Sequence, residues 1–131
     1  MASSEGVPLK DRQRVSSGGK YEAMVGYSRA VRVGNQVFVS GTADLDSGTD
    51  VYLQTKKSIE KIGDALAKLG ASLTDVVRTR VFVRTGVEWM EVARAHREAF
   101  GGVMPASTMI AVEFLDPAVL VEIEADAVLT P

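Results

Sequence analysis

The sequence predicts an α+β fold: a mixed or antiparallel sheet with two helices on one face. Three observations carry this. Short stretches that alternate in polarity flank two longer stretches whose apolar residues recur at the helical period. The elements run in the order ββ(β)–α–β–α–ββ, in which antiparallel hairpins enclose a strand–helix–strand–helix passage. The 131 residues are 46% hydrophobic and 24% charged, enough apolar material for one core and too short a chain for a second domain.

Residues 1–13 are small and polar and are expected to form a flexible N-terminal segment, with the domain proper spanning 14–131. Arg14 to Gly19 reads as a short strand and turn. Residues 30–33 and 36–40 read as strands joined by Gly34-Asn35, a pair that tolerates the positive φ of a two-residue hairpin. Residues 41–50, rich in Gly, Asp, Ser and Thr, form a loop. Ile59, Ile62, Leu66 and Leu69 then mark one face of a helix over 51–69, with Lys56, Lys57, Glu60, Lys61 and Lys68 on its wet side and Gly70 as its stop. A Val-rich strand follows over 74–84. The second helix, 87–100, carries Trp89, Val92, Ala93, His96 and Phe100 on its apolar stripe and stops at Gly101-Gly102. Strands over 107–114 and 120–128, separated by Asp116-Pro117, complete the set.

Two of these strands carry rows of charge. Glu122, Glu124 and Asp126 share one face of the last strand, spaced about 6.7 Å apart by strand geometry. Arg78, Arg80 and Arg84 share a face of the central strand with Phe82. Paired across a ladder, opposite charges contribute about 0.2–1 kcal/mol each. The alternative is that one carboxylate reaches a pocket and works as an acid or base. The helices take the opposite apolar face, so the charged face meets water or another subunit.

Composition excludes several chemistries. With no cysteine there are no disulfides, thiolate nucleophiles or Cys-ligated metals, and the single histidine, His96, cannot form a His–His pair within one chain. The sequence has no glycine-rich nucleotide fingerprint and no GxSxG elbow. A net charge of −2 without a long basic run disfavours nucleic acid as a partner. No signal-peptide core and no apolar run of membrane-spanning length are present, so a cytoplasmic protein without membrane contact is expected. Neither metal nor cofactor is expected. Chemistry is left to carboxylates, hydroxyls, Tyr, Lys, Arg and backbone groups.

Three ordered blocks then become specific. They are Gly26-Tyr-Ser-Arg-Ala-Val-Arg-Val-Gly-Asn-Gln-Val-Phe-Val-Ser-Gly-Thr42, Leu69-Gly-Ala-Ser-Leu-Thr-Asp-Val-Val-Arg-Thr-Arg-Val-Phe-Val83, and Pro105-Ala-Ser-Thr-Met109 followed by Leu120-Val-Glu-Ile-Glu-Ala-Asp-Ala127. Together they resemble the Rid/YjgF family of reactive intermediate deaminases over about residues 14–129. The resemblance implies a chorismate-mutase-like fold and a homotrimer with clefts between subunits. In its deaminating branch those clefts bind a small metabolite and hydrolyse enamines and imines to ketones and ammonia. The alternative is a non-catalytic, small-molecule-binding or regulatory trimer.

The resemblance assigns the catalytic positions to Glu122, which orients or activates water, and Tyr27, in the cleft wall. It places Ser107 where the deaminating branch has an arginine that grips the substrate carboxylate. A hydroxyl cannot replace a two-pronged guanidinium–carboxylate pair, and losing such a pair costs about 2–5 kcal/mol. Activity on ordinary 2-imino acids is therefore expected to be weak. Thr108, Arg29 and Trp89 complete the candidate binding set, with Arg29 as the possible substitute for the missing arginine.

Overall fold

A computed structural model describes residues 11–130. Strand β1 (Arg12–Val15) leads to a short helix α1 (Lys20–Val25), then to strands β2 (Ala30–Val33) and β3 (Gln36–Thr42). Helix α2 (Val51–Lys68), a 3-10 turn (Leu73–Asp75), strand β4 (Val76–Arg84), helix α3 (Trp89–Phe100) and strands β5 (Ala106–Val112) and β6 (Val121–Val128) follow.

The six strands form one sheet in the order β1-β2-β3-β6-β4-β5. All neighbours are antiparallel except β4 and β5, which run parallel and are joined across α3. Helices α2 and α3 pack on one face. Val37, Val39, Val81, Val83, Val121 and Ile123 of the sheet meet Ile59, Ile62 and Leu66 of α2 and Val92 and Phe100 of α3 in a closed apolar core.

Asp50 caps α2 by accepting the Leu53 amide at 3.0 Å. The first turns of α2 bury Gln54 rather than an apolar side chain. Its amide donates to the carbonyls of Gly48 and Ala118 and accepts the Leu120 amide, so one satisfied polar group ties the 41–50 loop to the entrance of β6.

The structure differs from the sequence expectations in four places. The segment expected to be flexible lies outside the described residues as far as residue 10, and its residues 12 and 13 belong to β1, which pairs with β2. Helix α1 was not foreseen, so the domain has three helices rather than two; six residues are too few for a periodicity to show. The stripe of α3 buries Val92, Ala95 and Phe100, while Trp89 at the first position is 57% exposed. A helix's first residue lies at the edge of its packed face, where no neighbour covers a large ring. Finally, β3 runs through Gly41 to Thr42 with a register shift against β6 between Val39 and Thr42.

The face of the sheet away from the helices carries the two charge rows. Arg78 stands opposite Asp126, Arg80 opposite Glu124 and Phe82 opposite Glu122. Arg80 Nη1 lies 3.1 Å from Asp126 and 3.6 Å from Glu124. Phe38 and Ile110 stand exposed beside these pairs. Among the described residues no helix is long and apolar enough to cross a membrane.

Candidate functional site

A cavity of about 880 Å³ opens where α1, the segment before β2, the end of β3 and the start of β6 converge. Tyr27, Arg29 and Glu122 all line it, together with Glu22 and Gly41, which the sequence reading did not single out. Its mouth carries the apolar side chains of Tyr21, Val25, Leu45 and Leu115.

Arg29 is fixed rather than free. Its side chain is 13% exposed. Nε faces Glu22 at 3.4 Å, and Nη1 donates to the Gly41 carbonyl at 2.6 Å and to Thr42 Oγ1 at 2.9 Å. Nη2 donates to the Tyr27 hydroxyl at 3.3 Å, and the guanidinium lies 5.6 Å from the Tyr27 ring centre. Of the roughly five N–H donors a guanidinium has, one on Nη2 is left. A two-pronged grip on a substrate carboxylate is therefore not open to Arg29 in this arrangement. Tyr27, having accepted from Arg29, keeps its own proton to donate into the cavity.

Glu22 is the anion that holds Arg29. It is 5% exposed and sits in α1, whose C-terminus turns through Gly26 in the left-handed region (φ 94°) and so directs Tyr27 into the cavity. Burial alone would push the Glu22 carboxyl up. Donation from Ser17 and Ser16 hydroxyls and the Ser17 amide, with the Arg29 charge, outweighs burial and holds it below its ordinary value.

Glu122 is in the opposite condition. Half-buried, it is pushed up by desolvation and by neighbouring Glu124, against a smaller pull from Arg29. No hydrogen bond is made to its carboxylate among the described residues, so its oxygens are open to the cavity. Gly41 makes room for it: a Cβ there would lie 2.5 Å from Glu122 Oε2 and 2.9 Å from Cδ. The register shift and the missing side chain together let a charged residue of a central strand turn over its neighbour.

A testable consequence follows for Gly41→Ala. The obstructed atoms are the end of a flexible side chain, so the substitution is expected to change stability by under about 1 kcal/mol. The carboxylate must move by an ångström or so, and misplacement of that order would cost about a hundredfold in any turnover that uses this group. Melting curves and steady-state kinetics on the purified variant check both halves.

The other candidates stand elsewhere on the chain. Ser107 is exposed on the edge strand β5, and its hydroxyl accepts from Thr79 at 2.8 Å. Thr79 has given its proton, so it accepts from His96 Nε2 at 2.9 Å. Burial pushes the His96 imidazole down, which favours its neutral form. The chain of donors runs His96 to Thr79 to Ser107 and leaves the Ser107 proton to point outward. Thr108 is exposed opposite Arg80. Trp89 borders a separate groove of about 400 Å³ with Val83, Met109 and Ile110. Among the described residues no group of three or more His, Asp or Glu is arranged to hold a metal ion.

Comparison with known proteins places this geometry in context. The family described as endoribonuclease L-PSP matches residues 18–129. The chain is 30% identical over 126 residues to the 2-iminobutanoate/2-iminopropanoate deaminase of Mus musculus, covering 91% of this chain and 93% of the relative. It is 31% identical over 107 residues to the 3-aminoacrylate deaminase RutC of Acinetobacter baylyi, covering 77% and 85% of the two. The crystal structure of a Mycobacterium tuberculosis member of the YjgF/YER057c/UK114 family superposes with a TM-score of 0.85 at 47% identity, over 90% of this chain and 99% of that one.

Proposed function

Since the chain belongs to the Rid/YjgF family, we propose that it binds a small metabolite in a cleft shared between copies of itself and hydrolyses an enamine or imine there. The observation that carries this is the Glu122 carboxylate, unpaired and desolvated over Gly41, beside a Tyr27 hydroxyl free to donate. An enamine first tautomerises to the imine, its carbon gaining a proton as its nitrogen gives one up. Water then adds to the imine carbon, forming the C–O bond as Glu122 takes the water's proton and the nitrogen gains one. The carbinolamine hydroxyl then gives up its proton, which passes to the nitrogen as the C–N bond breaks, leaving the carbonyl and ammonia. Tyr27 donates a hydrogen bond to the substrate throughout.

The cleft needs a second chain. Tyr27, Arg29 and Glu122 share one cavity, whereas Ser107, Thr108 and Trp89 lie toward the β5 edge. The two sets meet when the β5 edge of one copy faces the cavity of another. The exposed Phe38 and Ile110 on the open sheet face supply an apolar surface for such packing. A homotrimer satisfies this with three equivalent clefts, and sedimentation of the purified protein at three times 14.0 kDa is expected.

Substrate choice follows from the donors. With a hydroxyl at Ser107 and Arg29 bound to Glu22, neither of these two positions offers a forked cation to a carboxylate. 2-Aminoacrylate or 2-iminobutyrate, generated in situ and followed by absorbance, should be consumed at least about 30-fold more slowly than by an arginine-bearing relative. Equal rates would overturn this account of Ser107. The same observation favours a second reading, a non-catalytic binder or regulatory trimer. Thermal stabilisation by a keto acid, amino acid or aromatic metabolite recovered unchanged would support it. Cleavage of RNA is disfavoured by the net charge of −2 and by the engagement of Arg80 and Arg84 with carboxylates.

A further inference from the structure

Among the described residues, the arginines and most of the lysines around Glu122 are engaged with other partners. From β4, Arg80 pairs with Glu124 and Asp126, and Arg84 pairs with Glu113 and donates to the carbonyls of Asp116 and Val119. From α2, Lys61 pairs with Asp44 at 3.0 Å; from α1, Lys20 stacks 5.0 Å from the Tyr21 ring centre. Lys68, which also lines the cavity, stands at the far end of α2. From β3, Gly41 and Thr42 bring no charge, and Phe82 is the residue directly opposite on β4. On its own strand Glu122 has Glu124, a second anion.

Among the described residues Arg29 is the cation placed to serve Glu122, because the two sit on either side of Gly41. The guanidinium holds the Gly41 carbonyl at 2.6 Å while the Glu122 carboxylate lies against the Gly41 Cα. Yet the Nε edge of Arg29 is turned to Glu22. Glu22 is itself held by the hydroxyls of Ser16 and Ser17 and by the Ser17 amide, so it is not free to swing away.

We propose that Glu22 is a positioning residue for this site: by drawing Arg29 to itself it withholds a counterion from Glu122 and so sets the proton affinity of the Glu122 carboxyl. A buried ion pair presents little net charge to a third group, whereas an uncompensated guanidinium beside a carboxylate favours its ionised form strongly. The sequence places Glu22 seven residues before Arg29, and α1 between them brings the two together. The inference builds on the reading of Glu122 as the acid–base group, but its test needs no turnover, so the two can fail separately.

The experiment is a 13C NMR titration of the glutamate side-chain carboxyls in the full chain, with Glu122 assigned by its absence in Glu122→Gln. In Glu22→Gln, Arg29 loses its anion and the Glu122 midpoint should fall by about one pH unit. In Glu22→Gln/Arg29→Gln the pair is replaced by two neutral groups, and the midpoint should return to within a few tenths of a unit of the parent. That double variant also carries the test if the single one does not fold. An unchanged midpoint in the folded single variant overturns the proposal. So does an upward shift of about a unit or more in the double variant, which would mean that Glu22 leaves the pull of Arg29 on Glu122 undiminished in the parent protein. Loss of imine hydrolysis without either shift would leave the role of Glu122 standing and remove that of Glu22.

Discussion

Glu122→Gln is expected to lower imine hydrolysis by about 10²–10⁴-fold, the range in which a general base acts. The substitution keeps the size of the side chain and its place over Gly41 while removing the group that accepts a proton from water. The parent rate should rise with pH through the Glu122 titration, since the ionised form is the base, and desolvation moves that limb upward from the ordinary carboxylate range. The variant should show no such limb. Stability supplies an independent check with a definite sign. A carboxyl whose folded pKa lies above its unfolded one stabilises the fold at low pH, and that contribution is lost as pH rises through the folded pKa. Glutamine has no such term, so the difference between variant and parent should move in the variant's favour as pH rises through this window. Undiminished turnover in Glu122→Gln would remove the carboxylate from the mechanism.

Arg29→Leu should cost stability on the order of 2–4 kcal/mol, since it removes several charge-assisted hydrogen bonds and leaves Glu22 buried without its cation. Here the pH dependence runs the other way. A carboxyl whose folded pKa is depressed stabilises the fold above its unfolded pKa, and the contribution disappears as pH falls through the folded value. Without Arg29 the Glu22 pKa rises and that contribution shrinks. The deficit of the variant should be largest near neutral pH and narrow once the medium is acidic enough to protonate Glu22 in both proteins. Denaturant unfolding at two pH values measures it. A constant deficit would show that Arg29 acts through packing and not through charge.

Some of this could be read from residue order and some could not. Alternation in β4 and β6 placed Arg80 and Glu124 on one face, and the structure pairs them. The period in α2 named Ile59, Ile62, Leu66 and Leu69, and all are buried. Both signals work because each residue's direction is set by its own backbone. Helix α1 left no such trace, although Gly19 before it and Gly26 after it could have marked its ends. Missing α1 meant missing Glu22, the anion that decides where Arg29 points. Gly41 reads as loop in the sequence because its role depends on a residue eighty-one positions later in the chain. Trp89 shows the converse: an apolar residue at the right helical spacing stays largely exposed when the helix starts there.

The position of β6 has a consequence for how the chain reaches this state in the cell. The last strand in chain order is central in the sheet, between β3 and β4. Until it leaves the ribosome, β3 and β4 each present an open edge and the core faces of both are uncovered. Such edges pair readily with other chains. The nascent polypeptide therefore cannot close this sheet until residues 121–128 have emerged. Its need for chaperone protection should be greatest just before the residues that carry Glu122 emerge.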